Sequence, residues 1–196
     1  SPWPCTPKYL LTILSKYLSE VNQLTNNIVV STVMSNYGFK QAIEKFNFDL
    51  IETPVGDKYV AEAMKKYDAA LGGEQSGHII ISDLLPVGDG LVTLIYVLKA
   101  MQHFGVALSD FKREHLYEYP QKLTNLELKN KLNDEELEYI NQIALDMSIK
   151  KDLDGRYLIR NSGTEPLLRV LVEAKSNEAM EDFSNELITK INKYLN

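Results

Sequence analysis

The chain of 196 residues is 44% hydrophobic and 24% charged, enough for one or two domains with cores of their own and unlike a disulfide-stapled mini-protein. Its 21 Lys plus Arg stand against 27 Asp plus Glu, a net charge of -6, the wrong sign for a surface that gathers nucleic acid. No apolar run approaches the roughly 20 residues of a membrane span, no basic-then-apolar signal opens the chain, and Cys5 has no partner; a cytoplasmic protein without nucleic-acid or membrane partners is expected.

Ser1-Pro2-Trp3-Pro4-Cys5 reads as an unstructured lead, and the chain as part of something longer. Thr6 suits an N-cap and Pro7 a first helical turn, and Leu10, Leu11, Ile13, Leu14, Tyr17 and Leu18 recur at helical spacing, which predicts a helix over 7–20. The β-branched run 28–33 predicts a buried strand, followed by a helix over 37–46, a strand over 48–53, a helix over 58–67 and a short strand at Ala69-Ala70. Strands alternating with helices of this length imply a layered α/β domain whose sites lie in the loops after the strands. Six of the ten glycines fall between positions 56 and 90, so those loops turn tightly or approach something closely. A helix over 91–104 follows, ended by Gly105, and the charged, aperiodic stretch 107–120 is expected to be the domain linker.

In the second half, Leu123, Leu126 and Leu128 mark a strand, and Asn133-Asp134-Glu135-Glu136 an N-cap and acidic first turn for a helix to about 145. Strands over 156–160 and 167–173 flank a loop, and an amphipathic helix covers 177–194. The expected product is a small α+β domain, a four-stranded sheet with two helices on one face. No internal repeat or low-complexity segment is present.

Two motifs stand out chemically. In Arg160-Asn161-Ser162-Gly163-Thr164-Glu165-Pro166, short hydroxyl side chains, a flexible glycine and a guanidinium at a strand end match what a phosphate needs. Only four Arg stand against 17 Lys, yet Arg156, Arg160 and Arg169 lie within 14 residues, as bidentate oxyanion recognition favours. An ordinary Ser-Gly-Thr hairpin with surface arginines has the same composition. In Gly72-Gly73-Glu74-Gln75-Ser76-Gly77-His78, Glu74 can accept from two sugar hydroxyls, Ser76 can donate or accept, and His78 can carry a proton near neutral pH. A glycine-rich hairpin whose His satisfies its own backbone is the alternative. His103 and His115 read as surface or packing residues, and Asp57 and Asp89, each in a Gly-Asp pair, as helix N-caps. Asp152-Leu153-Asp154-Gly155 lacks the twelfth-position glutamate of a calcium loop and reads as a turn. No metal-ligand set is found.

Together these residues resemble the α-D-phosphohexomutase superfamily over about residues 8–195: the 72–78 segment is similar to its sugar-recognition loop, and Arg160 to Pro166 with Leu168-Arg169-Val170 to its phosphate-binding loop. Thr32-Val33-Met34-Ser35-Asn36 and Val55-Gly56-Asp57-Lys58-Tyr59-Val60 point to its glucosamine-phosphate branch. The resemblance covers the third and fourth of four domains: a sugar-binding α/β domain over 7–110 and a phosphate-binding α+β domain over 121–196. The first two would supply a phosphorylated serine and a magnesium-holding Asp-Gly-Asp-x-Asp-Arg loop, and neither that loop nor a Ser-His-Asn sequence occurs here. Lys58 stands where the family usually has Arg, which puts in question any charge contact there, and Asn161 where it commonly has Pro.

The resemblance implies interconversion of glucosamine 6-phosphate and glucosamine 1-phosphate through a phosphoserine and a bisphosphorylated sugar, with Mg2+ as cofactor and a bisphosphorylated sugar as activator. Arg160, Ser162, Gly163 and Thr164 would hold the non-reacting phosphate with Arg169 in support, Glu74 and Ser76 the sugar hydroxyls, and His78 would be the catalytic proton carrier. The implied partners are a phosphosugar and the missing N-terminal domains, without which the fragment is expected to be inactive. A phosphomannomutase or phosphoglucomutase fragment and a non-catalytic phosphosugar-binding protein are the alternatives.

Overall fold

The computed structural model describes residues 7–82 and 87–195. Thr6, the expected cap of the first helix, and Cys5 lie outside the described residues. Contacts divide the chain into two compact units that meet between Glu118 and Tyr119. In the first, α1 (Pro7–Glu20) precedes β1 (Ile28–Thr32), α2 (Tyr37–Lys45), β2 (Asp49–Thr53), α3 (Asp57–Tyr67), β3 (Leu71–Gly73), β4 (Ile79–Ile81), α4 (Gly90–Phe104) and α5 (Leu108–His115). The sheet order is β2-β1-β3-β4; β1 pairs in parallel with β2 and β3, and β4 runs antiparallel to β3.

Period-two alternation turns Val29, Leu71, Ile79 and Ile81 to a core built with α1, α2, α4 and α5, and Val30 and Ile80 to a second core under α3. Helices thus cover both faces of the sheet, as strand–helix alternation implies. Leu11, Ile13, Leu14 and Leu18 of α1 are fully buried, each contributing about 1.5–3 kcal/mol.

Three local expectations differ from the structure. The strand expected at Ala69-Ala70 begins at Leu71, and the three isoleucines of β4 form a strand too short to show alternation. The expected linker holds α5, whose Leu108 and Phe111 enter the first core; the charged run 112–115 hides a two-turn helix with apolar residues three apart. Lys8 and Tyr9 bond Glu118 at the end of the first unit, and the Tyr119 hydroxyl donates to Asp154 at 2.9 Å at the start of the second.

Gly38 in α2 lies so close to the last segment of the first unit that a Cβ there would sit 1.6 Å from the Tyr117 carbonyl oxygen. Alanine is the better helix former by about 1 kcal/mol. Gly38→Ala should nevertheless destabilise the unit by about 1–3 kcal/mol through overpacking, read by urea unfolding. A more stable variant contradicts this close approach.

The second unit contains β5 (Gln121–Glu127), α6 (Asp134–Lys150), β6 (Gly155–Asn161), β7 (Leu167–Ala174) and α7 (Asn177–Leu195). Among the described residues its sheet has three strands, antiparallel in the order β5-β7-β6, where four were expected. Among the described residues the segments between its elements, 128–133, 151–154, 162–166 and 175–176, are short, and none pairs as a fourth strand. Asn133 and Glu136 form a reciprocal capping box at α6, which runs on to Lys150 because Met147 continues the buried line of Ile140 and Ala144. That line meets Phe183, Leu187 and Ile191 of α7 and Leu168, Val170 and Val172 of β7 in one core. By alternation, Arg156, Arg160, Arg169 and Glu173 belong to the opposite face of the sheet.

Candidate functional site

The first cluster is built at the C-terminal end of parallel strand β3, where α/β sheets present their loops. The Glu74 N–H donates to the His78 carbonyl at 3.0 Å and the Gly77 N–H to the Glu74 carbonyl at 3.2 Å, closing a hairpin into β4; Gly77 turns it at φ +115°. The hairpin brings two side chains, Ser76 and His78, to one carboxylate oxygen of Glu74. Ser76 Oγ donates to Glu74 Oε1 at 2.5 Å, and His78 Nδ1 lies 3.1 Å from that oxygen and 3.4 Å from Ser76 Oγ. Glu74 is 9% exposed, so its carboxylate is positioned, whereas the His78 side chain is 60% exposed and can reach a ligand. The 32–36 segment adjoins this cluster: Ser31 donates to the Gly73 carbonyl at 2.8 Å and shares a 2.6 Å hydrogen bond with Ser35, while Asn36 caps α2.

The second cluster lies in the second unit, where Arg160 and Arg169 occupy opposite places on neighbouring antiparallel strands. Like charges so placed repel. Burial, reinforced by Arg169, pushes the Arg160 guanidinium below its usual range. Arg169 approaches Glu165 at 3.6 Å; among the described residues Arg160 has no ion pair. Two buried polar atoms here, Ser162 Oγ and Arg169 Nε, have no hydrogen-bond partner. Buried polar atoms are nearly always paired, so these two are free to take a partner from outside the loop. Gly163 and Thr164 are exposed, and the space around Gly163 is open.

Two side chains act on this loop through contacts that the sequence does not show: Lys131 donates to the Gly163 carbonyl at 2.5 Å, and Asn161 is hydrogen-bonded to the backbone of Leu132. Neither has a local sequence signal, because each contact spans about thirty residues. Of the weaker motifs, Asp89 caps α4 as expected, whereas Gly56 at φ +135° takes the N-cap of α3 and Asp57 follows it. Exposed Lys58 lies 3.8 Å from Glu62. His103 pairs with Glu20 at 2.9 Å, and that contact is the leading cause that lowers the Glu20 carboxyl pKa.

His115 packs against Phe46 and Phe111, and burial is the main cause holding its pKa below the usual 6.5. A depressed folded pKa means that the unfolded chain takes up the proton first. The contribution is therefore complete above about pH 6.5 and is lost as pH falls through the folded value. His115→Gln should flatten the dependence of the first unit's unfolding midpoint on pH between about 5 and 7. An unaltered slope would place the titration elsewhere.

Among the described residues no single helix is long and apolar enough to cross a membrane. Residues 6–119 match the family model for the phosphoglucomutase/phosphomannomutase alpha/beta/alpha domain III, and residues 123–190 match that for the C-terminal domain. The phosphoglucosamine mutase of Streptococcus agalactiae serotype III (strain NEM316) is 45% identical over 174 residues, 88% of this chain and 38% of the relative. That of Bacillus subtilis (strain 168) is 41% identical over 179 residues, 91% of this chain and 40% of the relative. The chain thus spans about two fifths of the length of these relatives. A solved structure of Aspergillus fumigatus N-acetylphosphoglucosamine mutase shares the fold with a TM-score of 0.80 at 18% identity, covering 97% of this chain and 44% of that one. By these matches the chain belongs to the phosphoglucomutase/phosphomannomutase family, the phosphohexomutases, and carries that family's third and C-terminal domains.

Proposed function

We propose that this chain is the sugar- and phosphate-holding half of a cytoplasmic phosphohexomutase that interconverts glucosamine 6-phosphate and glucosamine 1-phosphate. The observation that carries the reading is the Arg160–Arg169 pair, two cations side by side beside a buried Ser162 hydroxyl with no partner. A dianionic phosphate relieves the repulsion and accepts from both guanidinium groups, the Ser162 and Thr164 hydroxyls and the backbone N–H of Gly163. The amino-sugar assignment draws on the phosphoglucosamine mutases, 41% and 45% identical to this chain.

In this reaction a phosphoserine elsewhere in the protein gives its phosphoryl group to the free sugar hydroxyl, whose proton leaves to a base. The resulting bisphosphate turns around and returns its other phosphoryl group to the serine. Both orientations need one site for the phosphate that is not reacting, the role assigned to Arg160, Ser162, Gly163 and Thr164 with Arg169. Glu74 and Ser76 hold sugar hydroxyls common to the two orientations, and His78, fixed through Nδ1 by Glu74, carries the proton. A bisphosphorylated sugar would serve as activator. The donor set does not fit magnesium: among the described residues no group of three His, Cys, Asp or Glu could hold a metal ion, so no step through the metal is assigned to these residues.

The test is a chimera in which this chain replaces the matching part of the Bacillus subtilis enzyme. Glucosamine 6-phosphate should turn over in the chimera and not with the chain alone, which has no Ser-His-Asn or Asp-Gly-Asp-x-Asp-Arg sequence. Turnover by the purified chain alone, abolished by Glu74→Ala, or a chimera active only on hexose phosphates, contradicts the reading.

A further inference from the structure

We propose that Asn161 and Lys131 are positioning residues: through them the segment 128–132, between β5 and α6, straps the loop 161–166 into its phosphate-receiving shape. The inference rests on the phosphate reading above and adds residues that do not themselves touch the ligand. Four hydrogen bonds make the strap. Asn161 Nδ2 donates to the Leu132 carbonyl at 2.8 Å, and the Leu132 N–H donates back to Asn161 Oδ1 at 3.3 Å. The Leu128 N–H donates to the Pro166 carbonyl at 2.9 Å, so both ends of the loop are tied to the same short segment. Lys131 Nζ holds the Gly163 carbonyl at the loop's tip. In a planar trans peptide the following N–H points the opposite way, so fixing that carbonyl fixes the direction of the Thr164 N–H, a donor the anion needs.

The loop needs such support because its own residues give it little. Gly163 is exposed with no atom near its would-be Cβ, and Thr164 and Glu165 are exposed. A loop that holds its receptive shape for only a fraction of the time binds more weakly by that fraction. Without the strap, rotation of the Gly163 peptide costs little and scatters the donors. Tethering loop and segment by their backbones keeps the donors aligned before phosphate arrives, which is preorganisation.

The position of Asn161 supplies a control. The Ser162 N–H donates to the Leu167 carbonyl at 2.8 Å, so by the alternation of antiparallel ladders the Asn161–Leu168 rung makes no such bonds. Strand β6 is an edge strand, and a proline at 161 therefore removes no ladder hydrogen bond while stiffening the loop entry. A structural role in the sheet alone does not foresee rescue by proline.

The experiment titrates inorganic phosphate into the whole chain and its variants, following the Ser162, Gly163 and Thr164 amide signals, with thermal unfolding and amide hydrogen exchange measured alongside. Asn161→Ala should raise the phosphate Kd about tenfold and speed exchange at Gly163 and Thr164, with Val170 and Val172 still protected. Asn161→Pro also loses both Leu132 hydrogen bonds, and its stiffer loop entry should recover only part of that loss. Lys131→Met, a change at an exposed side chain, should speed exchange at Thr164 and weaken phosphate binding without shifting Tm. Unchanged affinity in both Asn161→Ala and Lys131→Met overturns the inference while leaving the phosphate reading intact. Absence of any phosphate effect on the parent loop overturns both.

Discussion

Arg160→Ala should separate stability from binding. In the free protein Arg160 stands opposite Arg169 with no ion pair of its own among the described residues, and burial makes its charge costly. Removing it relieves a like-charge contact, so the Tm of the second unit should hold or rise. Phosphate binding should fall by about ten- to a hundred-fold, because a charged hydrogen-bonding contact contributes about 1.5–3 kcal/mol. In a family-length enzyme the loss should appear mainly as a raised KM, since the contact is felt in ground and transition states alike. Arg160→Lys should recover only part of it, as one ammonium does not span two phosphate oxygens. His78→Ala should show the opposite split, a nearly unchanged KM and a kcat lower by about 10²- to 10⁴-fold. A drop in stability with unchanged phosphate affinity makes Arg160 structural.

The largest effect on the fold is expected where the same sheet face carries a satisfied charge. Glu173 is fully buried in β7, and Arg156 bonds it from the facing position on β6. Arg156→Met leaves a buried carboxylate without its cation, which should cost about 3–5 kcal/mol. The double change Arg156→Met with Glu173→Leu should regain most of that loss, because neither charge then needs burying. Hydrogen exchange at Val170 and Val172 gives the readout for the second unit, and Val29 serves as a reference in the first. A mild effect of Arg156→Met alone would assign stabilisation of Glu173 to its other contacts.

These arginines differ in role although they look alike in sequence. Arg156 faces an acidic partner and Arg160 faces another arginine, a distinction made by the register of the β6–β7 hairpin and absent from the composition. The elements most legible in the sequence carry both a cap and a long apolar line: α1 opens on Pro7, α6 on the Asn133–Glu136 box, and α4 ends at Gly105 in the left-handed region. Strands β3 and β4 were less legible because three residues carry no period and two glycines of β3 are there for lack of room. A Cβ on Gly72 would meet Met64 Sδ at 2.4 Å, and one on Gly73 the His78 carbonyl at 2.8 Å. The Glu74, Ser76 and His78 contacts could be anticipated because five residues of one hairpin contain them. Lys131 and Asn161 could not, since pairing of the 128–132 segment with the loop becomes visible only once both strands and α6 are in place.

If the Arg160 loop receives a phosphate, inorganic phosphate titrated into the whole chain reveals it most directly. Amide shifts should appear first at Ser162, Gly163 and Thr164, saturate with a dissociation constant near the millimolar range, and need about ten- to a hundred-fold more phosphate in Arg160→Ala. Shifts confined to other loops, or shifts at Ser162 to Thr164 that persist unchanged in Arg160→Ala, would contradict that assignment.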